Sequence, residues 1–475
     1  PKPEPKPEPK PEPEEEEEDD DRAGGAAAVH SELEDKKHCN IVFIGHVDAG
    51  KSTISGHILY LTGQVDDRTL EKFEKEAKAK NRESWKYAWA MDTTDQERAK
   101  GKTEECGRGT FQTETKFYTI LDAPGHKNFV PHMIDGASQA DVGCLVISAR
   151  KGEFETGFEK GGQTREHAVL AKTAGVKTLV VLINKMDDPT VEWDENRYNE
   201  CVTKLTPFLR QSGFNTKTDV IFLPISGLAG INIKERLKPE TCPWYSGPCF
   251  LEVLDQIEPP VRAQDTPLRF PIHEKYRDMG TVVLGKVESG RVRKGDTVLV
   301  MPNKVSVEVL SVSLEGNEVS QGLPGDNVKL RLRGIEEEDI RVGYVICCTK
   351  DPPAGCRFFD AKVNILEYKS IICAGYQCVL HVHASVEECT ITNLLAVMDK
   401  TGKNIAQKKP QFVKPGQTVL ARIRLKQPLV IEKYKDYPQL GRFMIRDEGK
   451  TVAVGVIEKL HFPKAKEGVD PDSVA

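Results

Sequence analysis

The chain has 475 residues, 38% of them hydrophobic and 29% charged, which is enough for real cores and, at roughly 150 residues each, for about three domains. Its net charge is −6, but residues 1–22 alone carry four positive and eleven negative side chains, a net of −7, so the rest sits near +1 and gross nonspecific nucleic-acid binding is not expected of it. No run of about 18 apolar residues occurs, which excludes a membrane-spanning helix, and the twelve cysteines are scattered without the spacing of a disulfide framework or a zinc site.

No basic and apolar export signal is visible after Pro1, so a reducing, cytoplasmic setting is expected. The missing initial Met suggests a fragment or a processed form. Residues 1–36 combine a Pro-Lys-Pro-Glu repeat with the acidic run Glu14 to Asp21. Such composition cannot bury apolar surface, and a disordered tail is expected.

Residues 37–262 alternate apolar strands with helical segments, the signature of an α/β domain with a mostly parallel sheet and helices on both faces. Ile41–Ile44 runs into Gly45-His46-Val47-Asp48-Ala49-Gly50-Lys51-Ser52, and Thr53 to Tyr60 continues as a helix. Leu70 to Met91 is charged and helix-like, and the glycines within Thr93 to Phe111 predict a mobile loop. Further strands are expected at Phe117–Leu121, Val142–Ile147, Leu179–Ile183 and Val220–Ile225, with a helix over Thr164–Ala174 stopped by Gly175. After Pro259-Pro260 the pattern turns to short strands and glycine turns, predicting one all-β barrel over 267–352 and a second over 353–464. Residues 465–475 read as a flexible tail.

The strand ends carry the chemistry. Gly45 to Ser52 fits G-x-x-x-x-G-K-[ST], in which backbone N–H groups and a helix N-terminus face phosphates and Lys51 adds a point charge. Ser52 offers a hydroxyl to Mg²⁺, and Thr53 extends the nucleotide-binding set. Asp122-Ala123-Pro124-Gly125 places a carboxylate for Mg²⁺ and a bare N–H near a γ-phosphate. Asn184-Lys185-Met186-Asp187 is N-K-x-D: the Asp187 carboxylate can accept from guanine N1–H and the exocyclic amine, a donor pair adenine lacks, while Lys185 can cover the ring face. Asn184 can bridge base and loop, and Ser226-Gly227-Leu228 fits a backbone contact to guanine O6. Each motif alone also describes an ordinary turn; in this order, at successive strand ends, they predict a site for GTP and GDP with Mg²⁺. His126 is the candidate to orient the attacking water, and Thr103 the hydroxyl by which the loop senses metal and γ-phosphate. His381 and His383 alternate on one strand and read as barrel or interface residues, and Cys39, Cys144 and Cys201 as small buried hydrophobes.

With these motifs in place, the chain resembles the translational GTPases of the elongation factor one-alpha type. The shared marks are Gly45 to Ser52, Asp122 to His126 and Asn184 to Asp187, followed by two barrels. Ser148 to Gly162, Lys275 to Gly285 and Lys369 to Tyr376 are most similar to the family of GTP-binding subunits of the eukaryotic polypeptide-chain release factor, while Gly441 to Thr451 is similar to both elongation and release relatives. The resemblance covers about Lys37 to Phe462. It implies a P-loop GTPase domain and two barrels, the second binding the class-one release factor, and ribosome-stimulated GTP hydrolysis that promotes peptide release. It also implies a heteromeric complex on the ribosome and its RNA, with Val47 flanking His126 in a hydrophobic gate and Asp48 near the phosphates. The tail is an expected site for poly(A)-binding or decay factors. Aminoacyl-tRNA delivery, Hbs-type ribosome rescue and a GTP-holding scaffold are the competing readings. One departure stands out: Glu104 follows Thr103 where the family carries a hydrophobic residue.

Overall fold

A computed structural model describes residues 36–79, 85–91, 103, 105–159, 162–260, 264–314, 316–366, 371–399 and 405–462. The acidic tail to residue 35, Gly101, Lys102, Glu104, Lys160, Gly161, Lys369, Ser370 and the segment from 463 onward lie outside them.

The chain enters at β1 (Lys37–Gly45), whose alternate residues serve opposite cores. Val42 and Ile44 join one cluster with Leu121, Leu145 and Val181; Ile41 and Phe43 join another with Ile58, Tyr118 and Phe250. A strand segment buried on both faces has apolar residues facing each core, which is why Ile41–Ile44 is a continuous hydrophobic run. Each such side chain withdrawn from water contributes about 1.5–3 kcal/mol.

Helix α1 (Lys51–Leu61) follows, then α2 (Asp67–Ala79), β2 (Gly107–Gln112), β3 (Lys116–Asp122), α3 (Val130–Gln139) and β4 (Val142–Ser148). The order continues with α4 (Glu153–Phe158), α5 (Gln163–Ala174), β5 (Thr178–Asn184), α6 (Glu195–Gln211), β6 (Val220–Pro224) and α7 (Phe250–Gln256). The sheet runs β2-β3-β1-β4-β5-β6, all parallel except for the antiparallel edge pair β2–β3. Strand order reverses direction at β1, so the carboxyl ends of β1, β3, β4 and β5 open on one crevice.

Two expectations for the insertion need correction. The described helix covers Asp67–Ala79, residues 80–84 lie outside the described residues, and Ala88–Ala90 form a short 3₁₀ turn rather than α-helix. The glycine-rich stretch is not all loop, because Gly107–Gln112 is a strand. Its glycines answer to packing: a Cβ on Gly109 would lie 3.0 Å from Leu59 Cδ1, and one on Gly107 3.2 Å from the Met91 carbonyl oxygen.

Strands between Arg269 and Cys348 close into one barrel through pairing of Thr297–Met301 with Val305–Leu314. Strands between Gly355 and His461 close into a second through Tyr376–Val382 against Ser385–Met398. Among the described residues, no helix is long and apolar enough to cross a membrane. Cys39, Cys144 and Cys201 are buried as expected, whereas Cys373 is exposed.

Buried polar pairs join the barrels to the sheet. Lys286 donates to the Gln139 carbonyl at 2.8 Å and lies 3.3 Å from Asp141, which also accepts from the Asn40 amide at 2.9 Å. Asn327 donates to Asn40 Oδ1 at 2.8 Å. From the second barrel, Arg446 pairs with Glu166 of α5 at 3.1 Å. His383 departs from the expected strand alternation: it follows the strand with φ +53°, and its Nε2 meets Glu288 of the first barrel at 2.9 Å. It is an interface residue, and His381 is also buried, on the strand face opposite the barrel core that Leu380 and Val382 fill and beside Met444, which joins the core of the α/β domain.

Candidate functional site

The crevice gathers the predicted residues at the strand ends. Gly45, at the end of β1, has φ +139°, and a Cβ there would lie 2.3 Å from the Val146 carbonyl oxygen. Asp48 and Gly50 take left-handed backbone at φ +59° and +99°, and α1 starts at Lys51 with no side chain capping its N-terminus. Such an end presents backbone N–H groups to an anion. Lys51 Nζ donates to the His46 carbonyl oxygen at 2.9 Å, closing the loop on itself. Burial lowers the Lys51 pKa, opposed by the charges of Asp122 and Asp48. A buried ammonium whose charge is only partly compensated is prepared for a phosphate.

Asp122 is fully buried at the end of β3. Gly125 packs against the loop so closely that a Cβ would lie 2.5 Å from Lys51 Nζ and 3.0 Å from the Val47 nitrogen. Ser52 Oγ and Thr103 Oγ1 stand 3.1 Å apart, so two residues 51 positions distant in the chain share one corner. A cavity of about 110 Å³ occupies it, lined by Val47, Ser52, Thr53, Trp85, Thr103 and His126 among others. His126 Nδ1 accepts from the Asn128 amide at 3.3 Å. Among the described residues, no three His, Cys, Asp or Glu side chains form a metal cage. The oxygens of Ser52, Thr103 and Asp122 are hard donors, and that set fits Mg²⁺ completed by substrate phosphates.

At the other end, Asn184 does more than its motif predicts. Its Nδ2 donates to the Ala49 carbonyl at 2.8 Å, and its Oδ1 accepts from the Gly227 amide at 2.8 Å. Its amide therefore spans loop to loop rather than loop to base. Lys185, at φ +62°, has its ammonium 2.8 Å from Glu153 Oε2; Asp187 nearby is exposed. Ser226 is buried and Leu228 exposed, so the loop turns outward within three residues.

His167 was not singled out by any motif. It is fully buried on α5, with Nδ1 accepting from the Gly45 amide at 3.1 Å, and burial pushes its pKa down to about 3. Nothing local marks it, since its partner lies 122 residues away.

Residues 36–260 match the elongation factor Tu GTP binding domain, 280–347 elongation factor Tu domain 2, and 358–458 the GTP-eEF1A C-terminal domain-like family. A Kluyveromyces lactis protein named eukaryotic peptide chain release factor GTP-binding subunit is 54% identical over 426 residues, 90% of this chain and 61% of that protein. Its Schizosaccharomyces pombe namesake is 51% identical over 431 residues, covering 90% and 65%. This chain thus spans under two thirds of the length of either relative. The crystal structure of the S. cerevisiae Ski7 GTPase-like domain, bound to GDP and inorganic phosphate, aligns at a TM-score of 0.74 over 90% of this chain and 99% of that one. At 19% identity that likeness speaks for the fold alone.

Proposed function

The chain belongs to the family of eukaryotic peptide chain release factor GTP-binding subunits, within the elongation factor Tu type of GTPases, and from that premise we propose that it is a translation-termination GTPase. The observation that carries this reading is Asn184, whose single amide ties the phosphate loop to the guanine loop. Both ends of one guanosine nucleotide are thereby held in register.

In this reading the loop amides of Val47 to Ser52 and the Lys51 ammonium bind the phosphates, while Asp187 selects guanine. The Lys185 stem covers the ring. Mg²⁺, when bound, neutralises charge on the β- and γ-phosphates. Ser52, Thr103 and Asp122 would hold it. His126 Nδ1 is engaged by the Asn128 amide, which leaves Nε2 to orient the attacking water. Val47 lines the same cavity and supports a gate that keeps stray water away. Hydrolysis of this kind is a matter of positioning and charge neutralisation, without covalent chemistry at the protein. Loss of the γ-phosphate then frees Thr103, and the loop around it becomes the switch.

The partners that follow are the class-one release factor, bound through the second barrel over 353–464, and the ribosome. A reconstituted termination assay at a stop codon tests the proposal. Peptide release by the class-one factor should rise with this chain and GTP, and fall with a non-hydrolysable analogue. Stimulation of charged-tRNA delivery instead, or no ribosome-dependent phosphate release at all, would refute it.

A further inference from the structure

His57, on α1 and outside every motif, grips the guanine loop from behind. It is buried, and its Nδ1 lies 2.8 Å from the Gly227 carbonyl oxygen. A carbonyl only accepts, so Nδ1 carries the hydrogen and donates. The ring stacks flat on Tyr87, with centroids 3.9 Å apart and planes 9° from parallel. Two glycines admit this arrangement. A Cβ on Gly56 would lie 1.8 Å from the Tyr87 carbonyl oxygen, and one on Gly230 2.6 Å from His57 Cε1. Helix, inserted segment and guanine loop thus meet on one imidazole.

Within the loop, most amides are committed. Ser226 donates to the Ile231 carbonyl at 3.1 Å, Gly227 to Asn184 at 2.8 Å and Ala229 to Ser226 Oγ at 3.2 Å. The Leu228 amide shares a planar peptide unit with the Gly227 carbonyl that His57 holds, so fixing that carbonyl fixes the direction of the Leu228 N–H. The segment that supplies Tyr87 also puts Trp85 and Ala88 on the wall of the cavity at the phosphate end.

We infer that His57, held by Tyr87, is a positioning residue for guanine recognition: by anchoring the Gly227 carbonyl it sets the Leu228 amide against the O6 oxygen of the base. This rests on the guanosine-nucleotide reading given above. The Lys51 charge attracts any nucleotide and Asp187 reads the N1–H and exocyclic amine; O6 itself is read by a donor, which a fixed amide supplies.

The test compares binding of GDP and 6-thio-GDP, whose sulfur is a poor acceptor, to the whole chain and its variants. Wild type should prefer GDP. In His57→Ala that preference should shrink by about threefold or more, the size expected when one hydrogen bond loses its alignment. His57→Asn, which keeps a donor near the Nδ1 position, should restore it. Tyr87→Phe should behave as wild type and Tyr87→Ala as His57→Ala. A merely structural role would weaken both nucleotides alike, and an unchanged ratio in His57→Ala would overturn the inference. Should His57→Ala not fold, an unchanged ratio in Tyr87→Ala would do so. A wild-type chain that binds neither nucleotide would remove the guanosine reading itself, and this inference with it.

Discussion

Replacing Asn184 by alanine is the sharpest probe of how the site is held. The side chain is 3% exposed and makes two bonds of 2.8 Å, one to each loop. Removing it leaves the Gly227 amide and the Ala49 carbonyl without that partner. A typical bond contributes about 1 kcal/mol net, and a buried group left unsatisfied costs about 1–3 kcal/mol. The pair therefore sums to about 2–6 kcal/mol, which is about 30-fold to 20,000-fold if all of it falls on nucleotide binding. Some will appear instead as lower stability of the nucleotide-free chain. GDP titration calorimetry beside thermal denaturation separates the two shares. Asn184→Asp should be worse than Asn184→Ala, because it keeps the acceptor for Gly227 but sets a carboxylate oxygen against the Ala49 carbonyl. A GDP affinity within about threefold of wild type in Asn184→Ala, or tighter binding in Asn184→Asp than in Asn184→Ala, refutes the staple.

Other outcomes follow from the same geometry. Thr103→Ala should slow ribosome-stimulated GTP hydrolysis by about tenfold or more while GDP affinity barely moves, since Thr103 meets Ser52 at the corner proposed for the γ-phosphate; equal loss of GDP binding would contradict that. Asp141→Asn should cost about 3–5 kcal/mol in urea denaturation, because it strips the charge facing the buried Lys286 ammonium; a cost below about 1 kcal/mol would show the pair to be dispensable. His167 is held neutral in the fold at a pKa of about 3, below its ordinary 6.5. The unfolded chain therefore gains a proton first as pH falls, so the His167 contribution to stability is complete above pH 6.5 and lost below it. At pH 5.5 that loss is about 1.4 kcal/mol, and His167→Gln, which keeps an acceptor for the Gly45 amide, should show a correspondingly flatter decline between pH 7.5 and 5.5. Identical pH profiles would remove His167 from the acid response.

The strands ending at Gly45, Asp122, Ser148 and Asn184 were legible because a strand buried on both faces is largely apolar, as in Ile41–Ile44 and Leu179–Ile183. The motifs after them were legible because a phosphate loop or a guanine-binding turn is encoded within about eight consecutive residues. The strand Gly107–Gln112 was not legible, since its glycines signal turns locally but serve close packing against Leu59 and Met91. Asn184 was found for its motif, but its two-loop role was not, because Ala49 and Gly227 lie 135 and 43 residues away. His57 and His167 carried no local sign at all. Sequence alone therefore determined which backbone turns could face phosphate and base, because those conformations depend on near neighbours. Only the tertiary structure decided which buried side chains hold those turns in place, because a buried polar group must find its partner wherever folding brings one.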